Sequence, residues 1–133
     1  MKATGALLPG IRGEQTRTVT ADVTAAALGS GGLAVYATPA MIALMEYTAA
    51  YSVQPYLAAG SSTVGTRIEV KHVSATPEGM RVMCETELTG VDGRRLTFSC
   101  RAYDEAGLIG EGTQERCVVD NERFLAKVRQ KRG

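Results

Sequence analysis

The sequence predicts an α+β fold, in which one long central helix is wrapped by an antiparallel β-sheet, and three observations carry that prediction. An apolar stretch of helical length opens on Thr38-Pro39, four strand-like segments separated by turn signals follow it up to Asp120, and a segment of alternating threonines precedes it. With 133 residues, 44% of them hydrophobic, the chain can bury one substantial core, so residues 1–133 are read as a single domain.

The elements follow in order. Residues 1–12 show no periodicity and are expected to be loose. Thr16, Thr18 and Thr20 then alternate with Arg17, Val19 and Ala21, the period of two that marks a strand, here expected over 14–23. The run Gly29-Ser30-Gly31-Gly32 breaks regular structure. Thr38 is expected to cap the next helix, with Pro39 at its first position, and the helix should span 39–53 before Pro55 ends it.

That helix is apolar on nearly every side, as a helix enclosed by protein must be. One sheet face cannot cover it all. A second copy of the chain is the expected cover, and pairing edge strands across a homodimer also removes an exposed edge.

Residues 60–63 read as a loop. In the second strand Thr66, Ile68, Val70 and His72 share one face while Arg67, Glu69 and Lys71 share the other; the charged face meets water, so His72 is expected to point inward. Met80, Val82, Cys84, Thr86 and Leu88 mark the inner face of a third strand. Asp92-Gly93 signals a hairpin into a fourth, with Leu96, Phe98, Cys100 and Ala102 inward. A turn at 105–107 leads to a fifth, 108–119. Asn121 is expected to cap a short helix over 122–131 with Phe124, Leu125 and Val128 on one side and a basic end.

Fifteen Lys and Arg against fourteen Asp and Glu leave a net charge of +1, too balanced for a broad footprint on nucleic acid or membrane. Residues 33–66 carry one formal charge, Glu46, but Pro39, Pro55 and Gly60 interrupt them, leaving no stretch of the roughly 18 residues a membrane span needs. The odd set Cys84, Cys100 and Cys117 lacks CxxC spacing and reads as buried thiols in a reducing compartment. With no secretory leader in the first ten residues, the expected location is cytoplasmic.

Three residues stand out chemically. Glu46 has Ile42, Ala43, Ala49 and Ala50 as its helical neighbours, so a carboxylate emerges from an apolar surface; it either meets a solvated groove or an arginine, or acts as a catalytic carboxylate. His72 is the only histidine, and the only side chain whose ordinary pKa lies near neutrality. Thr38 lies about 12 Å before Glu46 along the helix axis, so shared work would have to be arranged around a substrate or across a dimer interface. One histidine with scattered cysteines makes no zinc site, and GxSxG, P-loop and GxGxxG signatures are absent.

The segments Tyr36-Ala37-Thr38-Pro39-Ala40 through Glu46, Val64-Gly65-Thr66, Val70-Lys71-His72 through Gly79, Val91-Asp92-Gly93-Arg94 and Gly112-Thr113-Gln114-Glu115-Arg116 together resemble the fluoroacetyl-CoA thioesterase family of hotdog proteins. The resemblance runs over roughly residues 14–131. It implies a dimeric hotdog fold that hydrolyses a short acyl-CoA to free acid and CoA. It further implies Thr38, Glu46 and His72 as the catalytic set, Gly65 and Arg116 as binders of the acyl group, and no cofactor beyond the CoA of substrate and product. Glu46 would attack or activate water, His72 would carry the proton, and Thr38 would orient or attack.

One departure is informative. The family's fluoroacetyl-specific enzyme carries phenylalanines before the threonine, where this chain has residues 29–32, so the acyl pocket is expected to be more open and the substrate a general short-chain acyl-CoA. The second reading is a hotdog protein that binds an acyl-CoA or other acyl ligand without cleaving it. Lys127 and Arg129, in the basic C-terminal end, are candidate partners of the CoA phosphates; a solvated helix face is the alternative.

Overall fold

The structure is a computed structural model that describes residues 6–133. Its elements are β1 (Arg12–Thr18), the one-turn α1 (Ala25–Leu28), α2 (Thr38–Val53), β2 (Ser61–His72), β3 (Arg81–Asp92), β4 (Arg95–Tyr103), β5 (Leu108–Asp120) and α3 (Asn121–Arg129). The five strands form one antiparallel sheet in the order β1-β3-β4-β5-β2. The expected α+β architecture is present, with α2 lying on the sheet.

The core forms where the inner faces of β3 and β4 meet α2. Val82, Cys84, Leu88, Leu96, Phe98 and Cys100 are at most 1% exposed and pack against Met41, Met45, Ala49 and Val53 of the helix. Alternation set these faces, and each fully buried Met, Leu or Phe contributes about 1.5–3 kcal/mol. The expected hairpin joins β3 to β4, with Gly93 at φ 61° in the conformation that favours glycine at this turn.

Several sequence expectations need correction. The first strand stops at Thr18 because its partner ends there, Thr18 pairing with Arg81 at the start of β3. Beyond it the chain turns through Ala21–Val23, where the Thr20 hydroxyl bonds Asp22, although the threonine alternation continues. Residues 1–5 of the segment expected to be loose lie outside the described residues. Leu7 and Ile11 pack on the core, and the Gly10 N–H donates to Leu88 at 2.7 Å. β2 begins at Ser61, so 61–63 is strand, not loop. Its inward face is also shorter than alternation suggests: Val70 and His72 are half-buried, whereas Thr66 and Ile68 are exposed, Ile68 at 37%. β2 is an edge strand with a bulge between Gly65 and Arg67, which breaks the alternation.

Both helix caps sit one residue earlier than expected. Asp120, not Asn121, caps α3 by accepting from the Arg123 N–H, and Asn121 instead accepts from the Ser62 hydroxyl. At α2 the cap position belongs to Ala37, which has extended φ and ψ and offers no side-chain bond. Thr38 is therefore the first helical residue, and its hydroxyl is free for something else.

Candidate active site

That hydroxyl meets His72. Thr38, at the start of α2, and His72, at the end of β2, bring Oγ1 and Nδ1 to 2.7 Å. The ring is half-buried, and burial holds its pKa below the ordinary imidazole value while the Ser74 backbone acts in the opposite direction. Near neutral pH the imidazole is therefore uncharged. In the tautomer with the proton on Nε2, Nδ1 accepts from the Thr38 O–H. Nε2 is buried and has no hydrogen-bond partner among the described residues. Beside the pair lies a cavity of about 280 Å³, lined among others by Ala25, Ser30, Val35 and Ser74.

Glu46 belongs to a second cluster. Its Oε2 takes a charged contact from Arg116 Nη1 at 3.4 Å, between a carboxylate 43% exposed and a guanidinium 8% exposed. Burial lowers the pKa of Arg116 and the neighbouring Glu46 raises it. The arginine anticipated as one reading of Glu46 is thus present, two positions along the inward face of β5 from Gln114. Gly65 closes the cluster: a Cβ there would collide with Glu46 Oε2 and lie 3.3 Å from Arg116 Nη1, so the carboxylate rests against bare backbone.

Gly65→Ala therefore pushes aside the end of a flexible side chain rather than backbone. It should change stability little while displacing the carboxylate, lowering kcat at least about tenfold with the thermal midpoint held within a few degrees. Wild-type kcat in this variant would show that the pose of Glu46 is irrelevant.

Five of the seven residues singled out from the sequence thus form two groups, Thr38 with His72 and Glu46 with Gly65 and Arg116. Glu46 does not line the Thr38–His72 cavity. Lys127 and Arg129 are exposed on α3. Two residues that sequence reasoning left without a role complete the second group. Thr63 accepts from Arg116 Nε through Oγ1 at 2.8 Å and from Nη2 through its carbonyl at 3.1 Å. Gln114, 2% exposed, accepts from Arg116 Nη1 at 3.4 Å and donates to the Met45 carbonyl at 2.9 Å. The available signal for Gln114 was a polar residue two positions from Arg116 on an alternating strand.

The sequence model of the fluoroacetyl-CoA-specific thioesterase family matches residues 19–122. The fluoroacetyl-CoA thioesterase of Streptantibioticus cattleyicolor is 46% identical over 97 residues, which cover 73% of this chain and 70% of that protein. The chain belongs to the fluoroacetyl-CoA-specific thioesterase family. A solved structure of a fluoroacetyl-CoA thioesterase superposes with a TM-score of 0.90 at 38% identity, covering 96% of this chain and 98% of that one. A thioesterase superfamily member from Thermus thermophilus gives 0.86 at 27% identity, covering 99% and 96%. The sheet around α2 is accordingly the hotdog fold, and family membership makes the protein a thioester hydrolase. Among the described residues no helix is long and apolar enough to cross a membrane.

Proposed function

We propose that the protein hydrolyses a short acyl-CoA to the free acid and CoA, at two equivalent sites each assembled from two copies of the chain. The observation that carries this reading is the Thr38–His72 hydrogen bond at the edge of an open cavity, in which a neutral imidazole with its proton on Nε2 accepts. A hydroxyl bonded to a basic nitrogen is an activated nucleophile. Thr38 Oγ1 attacks the thioester carbonyl, His72 takes its proton, and the same proton leaves with the CoA thiolate. Glu46 then draws a proton from the water that attacks the acyl-threonine carbonyl, the bond from that carbon to Thr38 Oγ1 breaks, and Glu46 returns the proton to Oγ1, releasing the acid and restoring both hydroxyl and carboxylate.

Edge strand β2 supplies the argument for two copies. Antiparallel pairing of β2 with itself about an axis near the exposed Ile68 sets Gly65 of one copy opposite His72 of the other. Each Thr38–His72 pair then faces a Glu46–Arg116 pair from the second chain. The pairing also covers an open sheet edge. Lys127 and Arg129 are the cations assigned to the CoA phosphates, and three free thiols fit a reducing cytoplasm.

The test is thiol release from acetyl-, fluoroacetyl- and longer acyl-CoAs by the purified chain. Turnover of the short substrates is expected, with kcat/KM for fluoroacetyl-CoA within about tenfold of acetyl-CoA, because residues 29–32 bring no aromatic ring to the pocket. A strong fluoroacetyl preference would overturn the general-substrate reading, and absence of turnover on the whole panel would overturn hydrolysis.

A further inference from the structure

We propose that Gln114 is a positioning residue for the reaction, a buried amide that holds both ends of the Glu46–Arg116 pair; this rests on the reading of Glu46 as a reacting carboxylate. The amide is oriented by its neighbours. Its NH2 group donates to two acceptors, the Met45 carbonyl at 2.9 Å and Cys100 Sγ at 3.1 Å. Its oxygen therefore faces Arg116 Nη1. Met45 immediately precedes Glu46, so one side chain ties the helical turn bearing the carboxylate to the guanidinium that contacts it.

The pair has need of such a tie. Arg116 carries five N–H donors in a rigid fork. Thr63 takes the Nε and Nη2 side, which leaves Nη1 to be aimed by Gln114 and Glu46 alone. The Glu46 and Gln114 contacts to Nη1 are equally long, 3.4 Å, but with the carboxylate 43% exposed the ion pair is the one that solvent weakens. The rigidity comes instead from the buried side. Gln114 is 2% exposed, and a polar group at that depth is costly unless every bond is made. Removing its amide strands the inner Nη1 donor and unpins the helix turn at Met45.

Gln114→Met fills a similar volume without polar atoms. On the best acyl-CoA of the wild type it is expected to lower kcat about ten- to a hundredfold with KM changed less than about twofold, since a misplacement of about 1 Å at a reacting group costs on that scale. In a Glu46→Gln background the same substitution should cost less than about twofold, because its effect passes through that carboxylate. Thr63→Val, which removes the Nε acceptor from the other side, should repeat the pattern with a smaller loss. Should methionine at 114 prevent folding, Thr63→Val carries the comparison alone.

Wild-type kcat in Gln114→Met overturns the inference. So does a loss equally large in the Glu46→Gln background, which would mark a general weakening of the fold. A wild type inert toward every acyl-CoA overturns the function instead. The positioning role is then decided by crystal structures: Arg116 still on Glu46 in Gln114→Met refutes it, and Arg116 swung away supports it.

Discussion

Glu46→Gln should lower kcat for the best acyl-CoA at least about a hundredfold while leaving the protein folded. The substitution isolates chemistry from packing. An amide oxygen at 46 can still accept from Arg116 Nη1 and still lies against Gly65, so the shape of the cluster persists. What is lost is the anion, and with it the ability to take a proton from water. Because the carboxylate is 43% exposed and its contact with Arg116 is long, the stability change should be about 1 kcal/mol or less. Thiol-release kinetics beside a thermal melt decide the matter: an active wild type and an equally active variant would remove Glu46 from the reaction.

His72→Ala should have an effect of similar size, with a signature in pH. Burial lowers the pKa of the ring, so the neutral, accepting form persists below pH 6.5, where a free imidazole would already be protonated. The acid limb of wild-type kcat/KM is expected to have its midpoint below 6.5, and the residual activity of the variant should lack that limb. A midpoint above 6.5, or an unchanged limb in the variant, would separate His72 from the proton transfer. Stability carries the same group with a definite sign. Between the folded and unfolded pKa values the unfolded chain binds the additional proton, so stability rises with pH across that window. It is full above about pH 6.5 and is lost as the pH falls through the folded value, a component that His72→Ala should not show.

Much of this was legible in the sequence where local pattern and tertiary environment agree. β3 and β4 are central strands with one buried face, so alternation alone identified Val82, Cys84, Leu88, Leu96, Phe98 and Cys100 as core. The same logic failed on β2. An edge strand with a bulge satisfies no fixed period, and Ile68 ended in solvent beside the correctly inward His72. The residues of the site were readable by type and by resemblance, but their grouping was not. Gln114 reaches Met45 across 69 residues and Arg116 reaches Thr63 across 53, contacts that only the folded sheet creates. Thr38 shows the converse: its type and position before proline made it look like a cap, and the backbone placed the cap one residue earlier.

That shift by one residue puts an alanine at the cap of α2. A hydroxyl or carboxamide at such a position usually secures the opening turn by about 1 kcal/mol, and this helix forgoes it. The protein thus gives up some firmness at the turn that carries the proposed nucleophile, and leaves that threonine's hydroxyl unspent on architecture.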